Sequence, residues 1–392
     1  MKHSVTAVVP VYNAEKYIGK TLESLLNQTC PLDEIIIIDD CSTDDTLEII
    51  KNSLAERNGS TIRVVRNEKN SGASFSRNRG IELSKTEWIL FMDADDVGES
   101  HLVERLLERY NHYTMDRCEP YLLIHSAYSQ INELGSKSEL ITRFQQVGAE
   151  EILGYELVRN HIYLSGTLVK RDALVECGGF DPGITYCEDW DLWLKLAAKG
   201  GFVYVDEPLF YVRRHSTNVS KNIQDVLQGE KVIISKYSLS FIEEQINKRN
   251  LSKEKNFIDF ISILYKFDFW EEGYLKLSHF NSENPGYSSG YFYSGLYHLY
   301  KSQTADAKQS FAKATELNDY DAASWNNLGV CYALENDKAN AVACFTLATE
   351  IIKNYMDSSH NLMAVLNNPD ASLDQLKITW RELRPVLLQY ES

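Results

Sequence analysis

The sequence predicts an α/β domain with a mainly parallel sheet, followed by a second domain built of helices alone. Between Met1 and about Ser220, short apolar runs alternate with segments of helical spacing, an order typical of parallel sheets covered by helices. Beyond about Asn222 the strand-like runs stop. The two consecutive segments 288–321 and 322–355 match each other position by position, and equal segments of this length are typical of a helical repeat.

Five runs of the first domain are predicted to be strands. Residues 35–38 are four isoleucines in a row, and apolar residues without alternation are typical of strands buried on both faces. Between the first two runs, apolar residues from Tyr17 to Leu26 recur at helical spacing, which predicts an amphipathic helix. The predicted strands are Val5–Val11, Glu34–Ile38, Ile62–Arg66, Trp88–Met92 and Tyr121–Ser126.

The second domain is predicted to be a short solenoid of tetratricopeptide-like repeats. When the two matching segments are aligned, Gly295 corresponds to Gly329 and Phe311 corresponds to Phe345. Small residues let paired helices approach, and aromatic rings fill the remaining space; a generic helical bundle is the alternative. The predicted domains are 1–220 for the α/β domain, 221–253 for a helical linker and 254–392 for the solenoid with C-terminal capping helices.

Composition and charge argue against several classes of protein. The chain has 392 residues and a formal net charge of −16, which disfavours nonspecific binding to nucleic acid or anionic membrane. No stretch approaches the roughly 18 apolar residues of a transmembrane helix, and the N-terminus turns polar too early for a signal peptide. Seven cysteines without a CxxC pair indicate reduced thiols in a cytoplasmic protein and do not support a zinc site.

Three carboxylates, those of Asp93, Asp95 and Asp96, crowd directly after a predicted buried strand. Like charges so close repel one another, and a cation would offset that repulsion. Mg²⁺ and Mn²⁺ prefer oxygen ligands from carboxylates and substrate phosphates. The alternative is an acidic loop that caps the helix predicted to begin near Ser100.

Two further stretches carry arginine in positions that suit an anion site. The loop and helix of residues 70–81 contain Arg77, and arginine binds a diphosphate bidentately. Neither stretch has a glycine-rich dinucleotide or P-loop signature. A solvated helix arginine and a structural histidine are the alternatives. The second stretch, residues 210–220, contains Arg213, Arg214 and His215.

Residues 187–201 predict a helix with acids in its first turn. Glu188, Asp189 and Asp191 lie there, and the helix dipole favours acids at that position without any function. The functional alternative is a general base that takes a proton from an attacking hydroxyl.

Taken together, these stretches resemble the inverting family 2 glycosyltransferases of the GT-A fold. The family has a P-x-Y-N segment, a DD-x-S-x-D-x-T segment, an N-x-G…RN-x-G helix, a DADD segment, a GGFD…ED-x-D-L segment and a closing arginine–histidine run. The resemblance covers about residues 4–220. The matching segments follow in the same order here: Pro10–Asn13, Asp39–Thr46, Asn70–Gly80, Asp93–Asp96, Gly178–Leu196 and Arg213–His215.

The resemblance implies a nucleotide-sugar donor, UDP-linked by preference. Tyr12 would pack against the base, Asp40 would accept a hydrogen bond from uracil, and Arg77 would lie near the diphosphate. Whether Arg213 or Arg214 closes over the diphosphate stays open, because relatives differ at this point. The implied donor-binding residues are Pro10, Tyr12, Asp40, Arg77, Asp93 and Arg213.

The resemblance also implies a divalent cation, Mn²⁺ or Mg²⁺, and a catalytic base. Asp95 would be the direct metal ligand, with Asp93 and His215 beside it. Asp189 would deprotonate the acceptor as it attacks the anomeric carbon, so that a single displacement inverts the configuration. The residues implied on the acceptor side are Glu188, Trp190 and Asp191.

The leading hypothesis is therefore a cytoplasmic hexosyltransferase whose repeats recruit a protein or peptide acceptor. Assembly of a cell-surface polysaccharide or lipid-linked glycan is the alternative within the enzymes. A repeat scaffold with a degenerate transferase domain is the alternative of another class, and the acids at Asp40, Asp93, Asp95 and Asp189 argue against it. The sugar, the acceptor and the oligomeric state stay open, including a homodimer formed through the repeats.

Overall fold

The computed structural model describes residues 3–54, 61–215, 223–367 and 375–380. The chain divides into two compact units, residues 1–250 and residues 251–392. Most of the predicted linker, residues 221–253, therefore belongs to the first unit.

The first unit is an α/β fold on one mixed sheet, which has nine strands in the described part of the chain. The strands are β1 (Val5–Val11), β2 (Glu34–Asp39), β3 (Thr61–Arg66), β4 (Trp88–Phe91), β5 (Val97–Gly98), β6 (Tyr121–Ile131), β7 (Lys137–Thr142), β8 (Thr167–Lys170) and β9 (Gly201–Arg213). The helices are α1 (Ile18–Leu26), α2 (Thr46–Leu54), α3 (Ala73–Leu83), α4 (Leu102–Thr114), α5 (Ile152–Val158), α6 (Arg171–Glu176), α7 (Glu188–Ala197), α8 (Ile223–Ile234) and α9 (Leu239–Asn247).

The sheet is parallel in one half and mixed in the other. Its strand order is β3-β2-β1-β4-β8-β6-β9-β5, with β7 paired to β6. The first four strands run parallel, whereas β8 is antiparallel to both of its neighbours. The parallel part agrees with the prediction. Strand β8 was not predicted, because its four residues mix polar and apolar side chains, whereas β4, of the same length, is wholly apolar.

All five predicted strands occur, as β1, β2, β3, β4 and β6. The four isoleucines of residues 35–38 are completely buried, because β2 lies between β1 and β3. The predicted helix between the first two strands is α1, which packs Ile18, Leu22 and Leu25 into the same apolar core. Burial on both faces is thus the reason that β2 is a continuous apolar run, whereas β3 is mostly exposed and includes Arg63 and Arg66.

The second unit consists of helices in the part that the structure describes. Its helices are α10 (Lys253–Lys266), α11 (Trp270–Glu283), α12 (Ser288–Tyr300), α13 (Thr304–Leu317), α14 (Ala322–Leu334), α15 (Lys338–Ile351) and α16 (Met356–Asn367).

Two of the helix pairs make the same close contact at corresponding positions of the predicted repeat. A side-chain carbon at Gly295 of α12 would lie 2.6 Å from the ring of Phe311 in α13. At the equivalent place in the next pair, a carbon at Gly329 would lie 2.7 Å from the ring of Phe345. The glycines therefore let each helix rest on a phenylalanine of its partner. That these pairs are tetratricopeptide repeats stays a prediction.

Two negative findings complete the description of the chain. Within the ranges given above, every helix is too short or too polar to cross a membrane. The seven cysteines are all free of disulfide bonds.

Candidate active site

The predicted site residues gather at the carboxyl ends of the parallel strands. Tyr12 follows β1, Asp40 follows β2 and Asp93 lies just beyond β4. These three strands are neighbours in the sheet, and parallel neighbours end at one edge, where ligands of such sheets bind. Tyr12 is 49% exposed, and Pro10, within β1, is partly exposed. Both are therefore open to contact from a ligand.

Asp40 is bound by the protein itself. Its Oδ1 accepts a hydrogen bond from Asn67 Nδ2 at 2.6 Å, and the N–H of Ser71 lies 3.0 Å from both carboxylate oxygens. Oδ2 also accepts the N–H of Gly72 at 2.7 Å. Three N–H donors thus bind a carboxylate that has about four acceptor positions, on a residue only 4% exposed.

Asp40 thereby fixes the loop that leads into α3, the helix that carries Arg77. That Asp40 also accepts a hydrogen bond from uracil stays a prediction.

Arg77 joins two motifs that are far apart in the sequence. Its Nη2 donates to Asp93 Oδ1 at 2.8 Å, and its Nη1 donates to Glu188 Oε1 at 2.6 Å, across 111 residues. Burial alone would lower the pKa of Arg77, but the charges of Asp93 and Glu188 outweigh it and raise that pKa. The guanidinium also lies 5.4 Å from the centre of the Phe180 ring. Arg77 thus fixes the first turn of α7 beside the D-x-D stretch.

Asp189 is a carboxylate whose proton affinity suits a general base. Its Oδ1 accepts the N–H of Trp190 at 2.8 Å, and its Oδ2 accepts Asn160 Nδ2 at 3.2 Å. Burial, and then the charge of Glu188, raise the pKa of Asp189 to about 7. A base of that pKa is both ionised and basic near neutral pH. Its assignment as the catalytic base stays a prediction.

Two of the residues predicted on the acceptor side, Trp190 and Asp191, are buried, and their role there stays a prediction. Trp190 is 1% exposed, and its indole N–H donates to the carbonyl of Glu156 at 2.7 Å. Asp191 is completely buried and lies 2.7 Å from Lys195 Nζ and 2.6 Å from Lys236 Nζ. Successive helix residues point in different directions, so α7 keeps only Glu188 and Asp189 beside Arg77.

Asp95 and His215 form a second polar group at the same edge. Nε2 of His215 lies 2.8 Å from Asp95 Oδ2, and the His215 ring stacks on Tyr17 with the ring centres 4.9 Å apart. Burial, and then the charge of Asp93, raise the pKa of Asp95 despite the bond to His215. Burial raises the pKa of Asp96 well above its usual range, with a further contribution from Asp95 and Asp93. The crowding predicted from the sequence is present.

Arg213 lies beside the D-x-D stretch and is 5% exposed. Its Nε donates to the carbonyl of Asp95 at 2.9 Å, and its Nη1 donates to the carbonyl of Asn132 at 3.2 Å. The main-chain N–H of Arg213 donates to Asp96 Oδ1 at 2.9 Å. These bonds tie Arg213 to the D-x-D backbone. That it also closes over a diphosphate stays a prediction.

The side chains beside the D-x-D stretch suit a divalent cation in part. Asp95 offers a carboxylate and His215 an imidazole nitrogen, both ligands of Mn²⁺. Across the described ranges, however, three or more His, Cys, Asp or Glu side chains are nowhere grouped as a complete cation site. Asp93 is engaged by Arg77. The remaining ligands would have to come from substrate phosphates and water.

Sequence reasoning missed several residues that complete the site. Ser165 Oγ accepts the N–H of Asp93 at 3.0 Å, and Asn160 bonds Asp189 as described. Glu156 is completely buried near Asp189, and burial raises its pKa well above the usual range. A single serine or asparagine outside any motif gives no signal in one sequence. The glutamate gives a weak one, because Glu156 is the one charged residue in the otherwise largely apolar helix Ile152–Val158.

A cavity of about 600 Å³ lies beside the Asp95–His215 pair. Tyr17 and Arg213 belong to its wall and also contact His215 and Asp95. Its charged lining residues are Lys16, Lys20, Glu23, Glu99, Glu133, Lys137 and Arg213.

Comparison with known proteins gives matches to the first unit. The family model described as "Glycosyl transferase family 2" matches residues 6–116. A putative teichuronic acid biosynthesis glycosyltransferase of Bacillus subtilis is 31% identical over 223 residues, which make up 56% of this chain and 83% of the relative. A poly(ribitol-phosphate) beta-glucosyltransferase of Bacillus spizizenii is 40% identical over 109 residues, 27% of this chain and 17% of the relative.

A solved structure is similar over more of the chain but at lower identity. The crystal structure of S. aureus TarS 1–349 in complex with UDP-GlcNAc shares 18% identity, covers 88% of this chain and 90% of its own, and gives a TM-score of 0.47. A likeness at that level carries no argument about the site.

Proposed function

This chain belongs to glycosyltransferase family 2, and from this premise we propose that it transfers a sugar, with inversion, from a nucleotide-diphosphate donor to a hydroxyl of a cell-surface polysaccharide. The observation that carries the proposal is the Arg77 bridge. One guanidinium binds Asp93, which follows a central strand, and Glu188, which precedes the candidate base Asp189. Donor-side and acceptor-side acids are thereby held together.

Asp189 is proposed to take the proton of the attacking acceptor hydroxyl. A single displacement needs a base on the acceptor side and no enzyme nucleophile. Asn160 and the N–H of Trp190 orient the carboxylate, and its pKa of about 7 lets it hold the proton after the attack. Glu188 contributes through its charge and through its bond to Arg77.

The donor is proposed to be a UDP-sugar that lies across the strand ends. Tyr12 and Pro10 offer exposed surface for the base, and Asp40 keeps the adjoining loop in place. Bound at Asp95 and His215, Mn²⁺ or Mg²⁺ would offset the charge that develops on the leaving diphosphate. Arg213 or the neighbouring Arg214 is proposed to contact the diphosphate.

A polysaccharide acceptor is supported by the names of the relatives. One is named for teichuronic acid biosynthesis and another for glucosylation of poly(ribitol-phosphate). A protein or peptide acceptor is the second candidate. The C-terminal helix pairs favour it, because repeats of this size form concave surfaces that hold peptides.

Three further assignments belong to the same proposal. We propose that the helix pairs of the second unit are tetratricopeptide repeats, on the strength of the equal contacts at Gly295 and Gly329. The absence of disulfide bonds among the seven cysteines supports a cytoplasmic location. Domain boundaries at residues 220 and 254 are proposed for the transferase and the repeats.

A panel of nucleotide sugars, followed by the melting temperature of the protein with Mn²⁺, tests the donor proposal. A donor at 100 times its dissociation constant should stabilise the fold by about 2.7 kcal/mol, and the Mn²⁺-dependent part should be lost in Asp95→Asn. Asp172→Asn, at a side chain that is 94% exposed, is the matched control. If no nucleotide sugar raises the melting temperature, the donor class is wrong; if EDTA leaves transfer unchanged, the metal role is wrong.

A further inference from the structure

The C-terminal segment of residues 375–380, here called the strap, lies on helices of the second unit and is held there by its main chain. Asn361 Oδ1 accepts the N–H of Lys377 at 2.6 Å, while Asn361 Nδ2 donates to the carbonyl of the same residue at 2.8 Å. Asn327 does the same for Thr379, at 2.9 Å in both directions. Each asparagine thus binds both the N–H and the carbonyl of one strap residue.

The two asparagines are related by the repeat. Asn361 in α16 follows Asn327 in α14 at the same interval at which Gly329 follows Gly295. They bind Lys377 and Thr379, which are two residues apart. In an extended chain, residues two apart face the same side. Equivalent asparagines of neighbouring repeats therefore bind every second residue of an extended peptide backbone.

Asn326 completes this asparagine groove, which consists of Asn326, Asn327 and Asn361. Asn326 Nδ2 donates to the carbonyl of Lys377 at 3.1 Å, and its Oδ1 accepts from Asn361 at 3.0 Å. All three asparagines are completely buried. A buried amide without a partner is costly, so these side chains require a polypeptide backbone, or water, in the place of the strap.

Side chains of the strap add contacts of limited specificity. Leu376 packs into an apolar cluster that includes Val330 and Val365. Thr379 Oγ1 donates to Asp357 Oδ2 at 2.9 Å and also bonds the hydroxyl of Tyr355. A ligand of this groove would be an extended peptide with an apolar residue followed, three positions later, by threonine.

We propose that the asparagine groove is a binding site for an extended peptide of another polypeptide chain, and that the strap is its built-in competitor. The asparagine carboxamides bind main-chain groups, which every peptide has, so peptides of many sequences can fit the groove. This suits a binding site for a partner better than a contact that only stabilises the fold. Because the strap is attached to the same chain, its effective concentration is high, and a free peptide binds weakly until the strap is released. The proposal is independent of the sugar and of the acceptor, since peptide binding needs no donor.

The test measures binding of a labelled peptide to the full chain by fluorescence anisotropy. The probe is the capped hexapeptide Gln-Leu-Lys-Ile-Thr-Trp, and the control is the same peptide with proline in its third and fifth positions, which removes the two N–H donors. In the protein, Lys377→Pro with Thr379→Pro weakens the strap in the same way. We expect the probe to bind this variant at least about tenfold more tightly than the wild type, from the loss of two competing hydrogen bonds. Adding Asn327→Ala and Asn361→Ala should abolish that binding.

Equal binding by the wild type and the proline variant would overturn the proposal, as would binding that survives removal of both asparagines. If the proline variant unfolds, amide hydrogen exchange of the wild-type chain decides. Excess probe should then speed exchange at the Lys377 and Thr379 amides of the strap, and the proline peptide should not. Unchanged exchange with the probe would show that the strap is a fixed part of the fold.

Discussion

The candidate active site of the first unit and the asparagine groove of the second unit use different polar groups. At the candidate site the groups are charged, with Arg77 between Asp93 and Glu188 and with Asp95 against His215. In the groove, neutral amides bind a peptide backbone through Asn327 and Asn361. Charged groups in a buried site respond to protons and anions, whereas amides recognise main chain without titrating. The first arrangement suits group transfer and the second suits peptide binding.

The largest effect is expected for Asp189→Asn. The amide keeps the size of the side chain but cannot accept a proton, and a general base contributes about 10²- to 10⁴-fold to a rate. Turnover of the donor with acceptor should fall by that factor while the melting-temperature shift caused by the donor is retained. The exposed Asp172→Asn serves as control, and full turnover in Asp189→Asn would remove the base assignment.

Next is Arg77→Met, which breaks the link between the two acidic stretches. Removing one partner of a buried ion pair costs about 3–5 kcal/mol, because the remaining charges are left uncompensated. Both carboxylates, at Asp93 and Glu188, would be affected. Urea unfolding of the variant should show this loss in free energy. Arg77→Lys keeps the charge without the fork and should lose less stability; equal stability of all three proteins would mean that the bridge is not formed.

A smaller effect is expected for Asn361→Ala in the second unit. The change leaves the buried N–H and carbonyl of Lys377 with fewer partners, and an unsatisfied buried group costs about 1–3 kcal/mol. Because no charge is involved, the loss should be the same at pH 5 and pH 8. A loss that varies with pH would contradict the contrast between the two units. Asn340→Ala, at an exposed asparagine of α15, is the matched control.

The smallest expected effect is on the pH dependence of turnover, which should change about tenfold per pH unit. Asp189 acts only when ionised, and its pKa is about 7, so turnover should fall as the pH drops below about 7. The same raised pKa has a consequence for stability: the folded state holds the proton more tightly than the unfolded state between about pH 4 and 7. The free energy of unfolding should therefore fall as the pH rises through that window, and less so in Asp189→Asn. A flat turnover profile would contradict the assignment.

Much of the first unit could be predicted because its signals are local. The isoleucine run of residues 35–38 identified β2, and the recurrence of Gly295 as Gly329 located the paired helices of the second unit. The D-x-D stretch was correctly expected at a strand end. Strand β8 was missed because its run Thr167–Lys170 mixes polar and apolar residues. The burial of Trp190 and Asp191 was not foreseen because a helix sequence does not reveal which side of its first turn meets the core.

The sequence by itself determined the strands β1 to β4 and β6, the helix α1 and the order of the acidic and basic segments, since these follow from short-range periodicity and from the burial of apolar runs. Only the tertiary structure decided which polar side chains meet. Arg77 pairs with an acid 111 residues away, Asp40 binds the N–H groups of Ser71 and Gly72, and Arg213 bonds the carbonyl of Asp95. These pairings depend on how distant segments approach one another. A shift of about an ångström between two segments forms or breaks a hydrogen bond, and a single sequence does not reveal distances of that size.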